Sequence, residues 1–168
     1  MVERAPRWAP LVTLPLALLG LGLSAYLTYV HYAEPRALSC PDTGVVNCTK
    51  VTTSPESMLF GFFPVALAGA LFFLGITALM LPVAWRATSR AISWLRLGGA
   101  VTGVGMVCYL VYVEAIEVKA LCLYCTGVHV IMFALFVAVL AAWLFPSVDD
   151  ADEQPSVRRR GRVGAARR

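Results

Sequence analysis

The stretch LCLYCTGVHVIMFALFVAVLAAWLF, residues 121–145, carries two signals at once. It is long and apolar enough to cross a hydrocarbon core as a helix, which takes roughly 20 residues. At its mouth stand Cys122 and Cys125, three apart, so both thiols fall on one helix face within a single turn. A helix N-terminus also favours the thiolate form. The run therefore reads as a membrane helix that opens on a reactive dithiol.

Working outward, three more apolar stretches of spanning length appear, at about Ala9 to Val30, Leu59 to Val83, and Leu97 to Val113 with a polar extension. With 59% hydrophobic residues and a mean hydropathy of +0.73, a soluble domain is excluded. The expected fold class is an all-α membrane protein, a four-transmembrane-helix bundle with a short interfacial helix in its first outer loop. Residues 1–8 form the N-terminal segment, 9–145 the membrane domain with its outer loop at 31–58, and 146–168 a tail. The first span reads as a retained helix. Its apolar run is too long for a signal-peptide core, and no small-x-small cleavage site follows. The tail is acidic (Asp149, Asp150, Asp152, Glu153), then basic, with no apolar surface to bury, and is expected to be disordered. There is no internal repeat.

Orientation follows from the cations. Four spans put both termini and the 84–96 loop on one side, with eleven of the 14 Lys and Arg residues. Only Arg36, Lys50 and Lys119 lie on the other. The positive-inside rule then puts both termini in the cytoplasm and both cysteine pairs on the extracytoplasmic side of a cell membrane. That compartment lets disulfides form and persist. The net charge of +4 is topology plus a tail near anionic lipid, and nucleic-acid binding is not expected.

Within the outer loop, Pro35, Pro41, Gly44 and Asn47 argue for irregular structure. Ser54-Pro55-Glu56 reads as a helix start with Ser54 as N-cap, leading along the interface into span two, where Pro64 is placed to kink the chain. Trp85 and Trp94 look like interfacial anchors. Gly98, Gly99, Gly103 and Gly105 allow close packing on span three, with Gly99 and Gly103 as a small-xxx-small pair.

Cys40 and Cys48 lie eight apart in that flexible loop, placed to meet a soluble partner and then the helix pair by thiol–disulfide exchange. Two plainer readings stand beside this one. Zinc prefers short-spaced ligand pairs, which Cys40 and Cys48 are not. A structural disulfide within one helical turn closes almost no loop. Cys108, mid-span, reads as a small hydrophobe. His129 lies on the face of Cys122 and Cys125, where it can hydrogen-bond a quinone oxygen or pass a proton, or be satisfied by a neighbouring helix. Tyr124 and Thr126-Gly127 leave room for a planar molecule. Glu114 and Glu117 read as interface residues.

The order Cys40-Pro41-Asp42-Thr43-Gly44-Val45-Val46-Asn47-Cys48, Ser54-Pro55, Phe60-Gly61…Pro64 and Cys122-Leu123-Tyr124-Cys125, spread over four spans, resembles the vitamin K epoxide reductase family across roughly residues 10 to 145. The resemblance implies a four-helix bundle around a quinone, menaquinone or ubiquinone, as electron acceptor. It implies that Cys40 exchanges with a partner protein, that Cys48 relays to Cys122, and that Cys125 faces the quinone. Ser57 stands where animal members carry a quinone-binding amide, and His129 where they carry a tyrosine; both departures point away from an epoxide substrate. Many bacterial members carry a fused thioredoxin-like domain, which this chain lacks, so the implied partner is a separate thioredoxin-fold protein that is reoxidised to support disulfide formation. The rival readings are a vitamin K quinone or epoxide reductase driven by a thiol donor, and a non-catalytic membrane protein with structural disulfides.

Overall fold

The computed structural model describes residues 6–33, 38, 40, 43–59, 61–86 and 89–145; the expected tail at 146–168 lies outside them. The first helix, α1, is Trp8–Ala33. A short helix α2 follows at Cys48–Thr52, then a single 3-10 turn at Pro55–Ser57. Next comes a two-residue antiparallel hairpin, β1 Met58–Leu59 with β2 Phe63–Pro64. Helices α3 (Val65–Met80) and α4 (Pro82–Arg86) complete the first half. The second half is α5 (Arg90–Tyr112), which widens into a π-helical turn at Val113–Val118, and α6 (Leu123–Leu144).

Three of these helices are long and apolar enough to cross a membrane: Trp8–Ala33, Arg90–Val118 and Leu123–Leu144, with 26, 29 and 22 residues. The fourth apolar helix, α3, has 16 residues, or about 24 Å at 1.5 Å per residue, short of a ~30 Å core. The span expected to begin at Leu59 is thus partly hairpin. Gly61 takes φ +78° in the turn, which a side chain would resist. Pro64, lacking an N–H, starts α3 instead of kinking it. At the other end Pro82 separates α3 from α4. The helix expected at Ser54 runs for one turn only and leads into this hairpin.

Hydroxyls inside the helices are satisfied locally. Thr13, Thr28 and Thr77 donate to the carbonyls of Ala9, Ser24 and Phe73 at 2.7, 2.7 and 2.6 Å, as an apolar medium requires. Helix α1 packs against α3 and α6, α5 against α6, and α3 more lightly against α5. Of the glycines on α5, Gly99 and Gly103 are the pair that meets neighbours. A Cβ at Gly99 would lie 2.8 Å from Ile76, and one at Gly103 would lie 2.6 Å from Met132, while Gly98 and Gly105 face open space. Without a hydrophobic force between helices in lipid, such close approach supplies the packing energy. The tightest approach is at Gly20, covered by the ring of the buried Phe73.

Trp85 and Trp94 diverge. Trp94 is exposed and tilts against Trp143, ring centroids 5.9 Å apart. The Trp85 ring lies 3.9 Å beneath the guanidinium of Arg96. Arg96 is itself buried, and its Nε donates to the Leu79 carbonyl at 2.8 Å. A cation thus meets one of the orphan carbonyls at the end of α3.

Gly20→Ala should cost about 1–3 kcal/mol through overpacking against Phe73. Gly22→Ala, which meets nothing within 4 Å, should be neutral or stabilising by up to about 1 kcal/mol. Thermal unfolding of the two variants in detergent, followed by circular dichroism, checks the contrast.

Candidate active site

The site is assembled where two distant segments are joined by main-chain hydrogen bonds. Asn47 N–H donates to the Leu121 carbonyl at 3.0 Å, and Leu121 N–H donates to the Val45 carbonyl at 2.8 Å. Val46 and Leu121 thereby form a parallel bridge. Asn47 also starts α2, its side-chain oxygen accepting from Lys50 N–H at 2.8 Å, as a helix N-cap does. Cys48 is the first residue of that helix and is 1% exposed. It is disulfide-bonded to Cys40, with Cα atoms 6.0 Å apart. Cys48 therefore sits in a fixed, capped helix and not on a free loop.

The opposite wall is the turn between α5 and α6. As α5 ends it widens into the π turn, a feature that often marks functional sites, and Lys119 closes it in the left-handed conformation at φ 53°. Glu114 holds this turn twice. Its carbonyl accepts from Ala120 N–H at 3.1 Å, and its carboxylate accepts from Cys122 N–H at 3.4 Å. Glu114 is 5% exposed, whereas Glu117 is exposed. The reading of Glu114 as an interface residue fails, because the turn rotates it inward beside the cysteines. Its carboxyl also interacts with the Cys125 side chain.

Cys122 acts as the N-cap of α6, its sulfur accepting from Cys125 N–H at 3.4 Å. The Cys125 side chain, hydrogen-bonded to that sulfur, draws the Cys122 thiol below its usual pKa, against the opposing effect of burial. Cys122 and Cys125 are free thiols.

All four cysteines fall in one apolar cluster with Leu27, Val30, Val113 and Val118. Within it burial is graded. Cys48 and Cys122 are 1% and 0% exposed, while Cys40 and Cys125 are half-buried. Cys125 also borders a cavity of about 160 Å³ lined by α1, α3, α5 and α6 together with α2 and the 3-10 turn. Ser57, Glu114 and His129 line it, among mainly apolar neighbours such as Phe72, Val107 and Met132. Ser57 donates to the Ser54 carbonyl at 2.7 Å. Tyr124 stands apart from the residues that line the cavity, its ring lying against Tyr26 with centroids 5.7 Å apart. Cys108 is exposed on the surface of α5, away from the cluster.

Residues 11–140 match the model of the vitamin K epoxide reductase family. The chain belongs to that family. Membership makes it a membrane oxidoreductase whose chemistry runs through cysteines. The matched region takes in the membrane helices, and no thioredoxin-like domain lies within these 168 residues. Two structural members of the site escaped the sequence reading. Glu114 carried the signal of a carboxylate at the end of an apolar span. Asn47 carried the signal of a helix cap just ahead of Cys48.

Asn47→Ala should destabilise α2 by about 1 kcal/mol and loosen Cys48, speeding reduction of the Cys40–Cys48 disulfide by a small thiol. Asn47→Asp, which still caps, should behave like the native chain. Quenched alkylation followed by mass spectrometry gives both rates.

Proposed function

We propose that the protein reoxidises a separate thioredoxin-fold protein on the extracytoplasmic side and passes the electrons to a membrane quinone, menaquinone or ubiquinone. The chain crosses the membrane four times, α3 included, with both termini in the cytoplasm. The observation that carries this reading is the burial gradient: the two middle sulfurs are sealed, and the two terminal ones are half-buried. Only Cys40 can then meet a protein partner, and only Cys125 borders the cavity.

Electrons move by exchange. A partner thiolate attacks Cys40, breaks the Cys40–Cys48 bond and leaves Cys48 as thiolate; the partner's second thiol then displaces Cys40 and closes the partner's own disulfide. Cys48 attacks Cys122 when the helix pair is a disulfide, and Cys40 resolves that intermediate, leaving Cys122 and Cys125 as thiols. The loop disulfide is restored, and the helix dithiol holds two electrons and two protons. The lowered pKa of Cys122 suits it as the leaving and attacking sulfur in this exchange.

The cavity suits a quinone head group. Its volume is close to the ~150 Å³ that holds a benzene-sized ring, its walls are mainly apolar, and His129 offers a ring N–H to one quinone oxygen, while the Ser57 hydroxyl reaches the other by turning from the Ser54 carbonyl. A bound quinone supplies an acceptor for two electrons and two protons. Ser57 and His129 would hold and orient it against the Cys125 sulfur.

Purified protein given the reduced partner and a quinone should produce quinol, read by its absorbance. Cys125→Ser should abolish turnover, since the serine hydroxyl does not give up electrons; substantial turnover by this variant overturns the role of Cys125. Cys48→Ala, mixed with partner that keeps only its attacking cysteine, activated as a mixed disulfide with a small thiol, should accumulate a Cys40–partner disulfide on a non-reducing gel, because neither Cys48 nor a second partner thiol is there to resolve it. Reduction of vitamin K epoxide by a small dithiol donor, with no quinone reduction from the reduced partner, would favour the thiol-driven reductase reading instead.

Orientation is tested separately. A reporter fused at the C-terminus should read cytoplasmic, because Lys and Arg resist translocation. An extracytoplasmic signal would put both pairs in a reducing compartment and remove the role in disulfide formation.

A further inference from the structure

We propose that Glu114 is the proton acceptor for the helix dithiol, taking the Cys125 thiol proton as that sulfur becomes reactive and handing it on into the cavity. The role rests on the dithiol-to-quinone transfer proposed above. Four observations converge on it. The carboxyl is 5% exposed. It accepts from the Cys122 N–H at 3.4 Å and interacts with the Cys125 side chain, and among the described residues no cation pairs with it. It lines the same cavity as Cys125 and His129. It is carried there by a π-helical turn, and such turns frequently serve functional sites.

A buried carboxylate without a cation is costly. If its sole task were to accept one N–H at the start of α6, a neutral side chain would serve at lower cost. A carboxylate is needed where a proton must be gained and lost. The balance is simple. Two thiols become one disulfide and release two electrons and two protons, and the quinone takes up both to become quinol. Glu114 carries a proton from Cys125 toward the ring oxygen and ends as it began, ionised. The other titratable groups facing the cavity are His31 on α1, Glu56 on the 3-10 turn, and His129 on α6. Among the described residues none of these three hydrogen-bonds either helix cysteine, whereas Glu114 engages both.

The test compares native protein with Glu114→Gln, which keeps an oxygen to accept the Cys122 N–H but cannot take a proton. The first readout needs no quinone: iodoacetamide alkylation of Cys125, quantified by mass spectrometry from acid to alkaline pH. With an internal base the native rate should be level where the carboxyl is ionised and the thiol is not. In Glu114→Gln the level region should vanish and the rate should rise tenfold per pH unit. The second readout is single-turnover quinone reduction by the prereduced protein, which Glu114→Gln should slow by about 10²-fold or more at neutral pH. Profiles of the same shape, or quinone reduction at the native rate, overturn the proposal, because a purely structural acceptor is preserved in the glutamine. If Glu114→Gln does not fold, the native protein decides: alkylation in the level region should be slower in deuterium oxide, and an unchanged rate overturns the role. If native protein alkylates as expected but fails to reduce any quinone, the quinone reading falls while the proton acceptor stands.

Discussion

Two main-chain hydrogen bonds, between Leu121 and the Val45–Asn47 segment, are what the site depends on. Cys48 and Cys122 belong to segments separated by two apolar helices, and the contact of α2 with the π turn alone does not fix their register. The bridge does so by pairing polar backbone groups at the end of the bundle. An unpaired N–H or C=O beside hydrocarbon costs several kcal/mol, so the pairing is favourable for the backbone whatever the redox state of the sulfurs. The scaffold therefore need not come apart when either disulfide opens. The asparagine cap then fixes the direction of α2 and turns Cys48 inward.

Much of the fold was legible because membrane helices announce themselves by apolar runs. The runs behind α1, α5 and α6 appear as spanning helices. The second run was read too long, since hydropathy counts side chains and ignores backbone breaks. Leu59, Phe62 and Phe63 are apolar enough for a span, but Gly61 turns the chain and Pro64 restarts it. The small-residue pair Gly99 and Gly103 was legible from spacing alone, and both glycines meet neighbouring helices.

The site was legible in its cysteines and less so in its supports. Spacing placed Cys122 and Cys125 on one helical turn, but it left Cys48 on a flexible loop, because a five-residue helix has no apolar period to detect. Glu114 was misplaced for a related reason. A charge at the end of an apolar run looks like a headgroup contact, and only the π turn reveals that Glu114 and Val118 point inward while residues 115–117 stay exposed. The neighbour of Tyr124 was not legible: that its ring meets Tyr26 on α1 depends on how two helices distant in sequence pack.

The gradient of burial also constrains which exchanges can occur. A thiolate attacks any disulfide it can reach in line, so a relay of four sulfurs risks losing electrons to small thiols at each station. Sealing Cys48 and Cys122 removes two of those stations from solvent. Sealing has its own difficulty, because burial disfavours the thiolate that exchange requires. At Cys122 the difficulty is offset by hydrogen bonds to the sulfur from Cys125 and by its position at the start of α6. Cys125 is the sulfur that borders the cavity, so in the proposed transfer its proton must also leave, and the carboxyl beside the dithiol, on the same cavity, is Glu114.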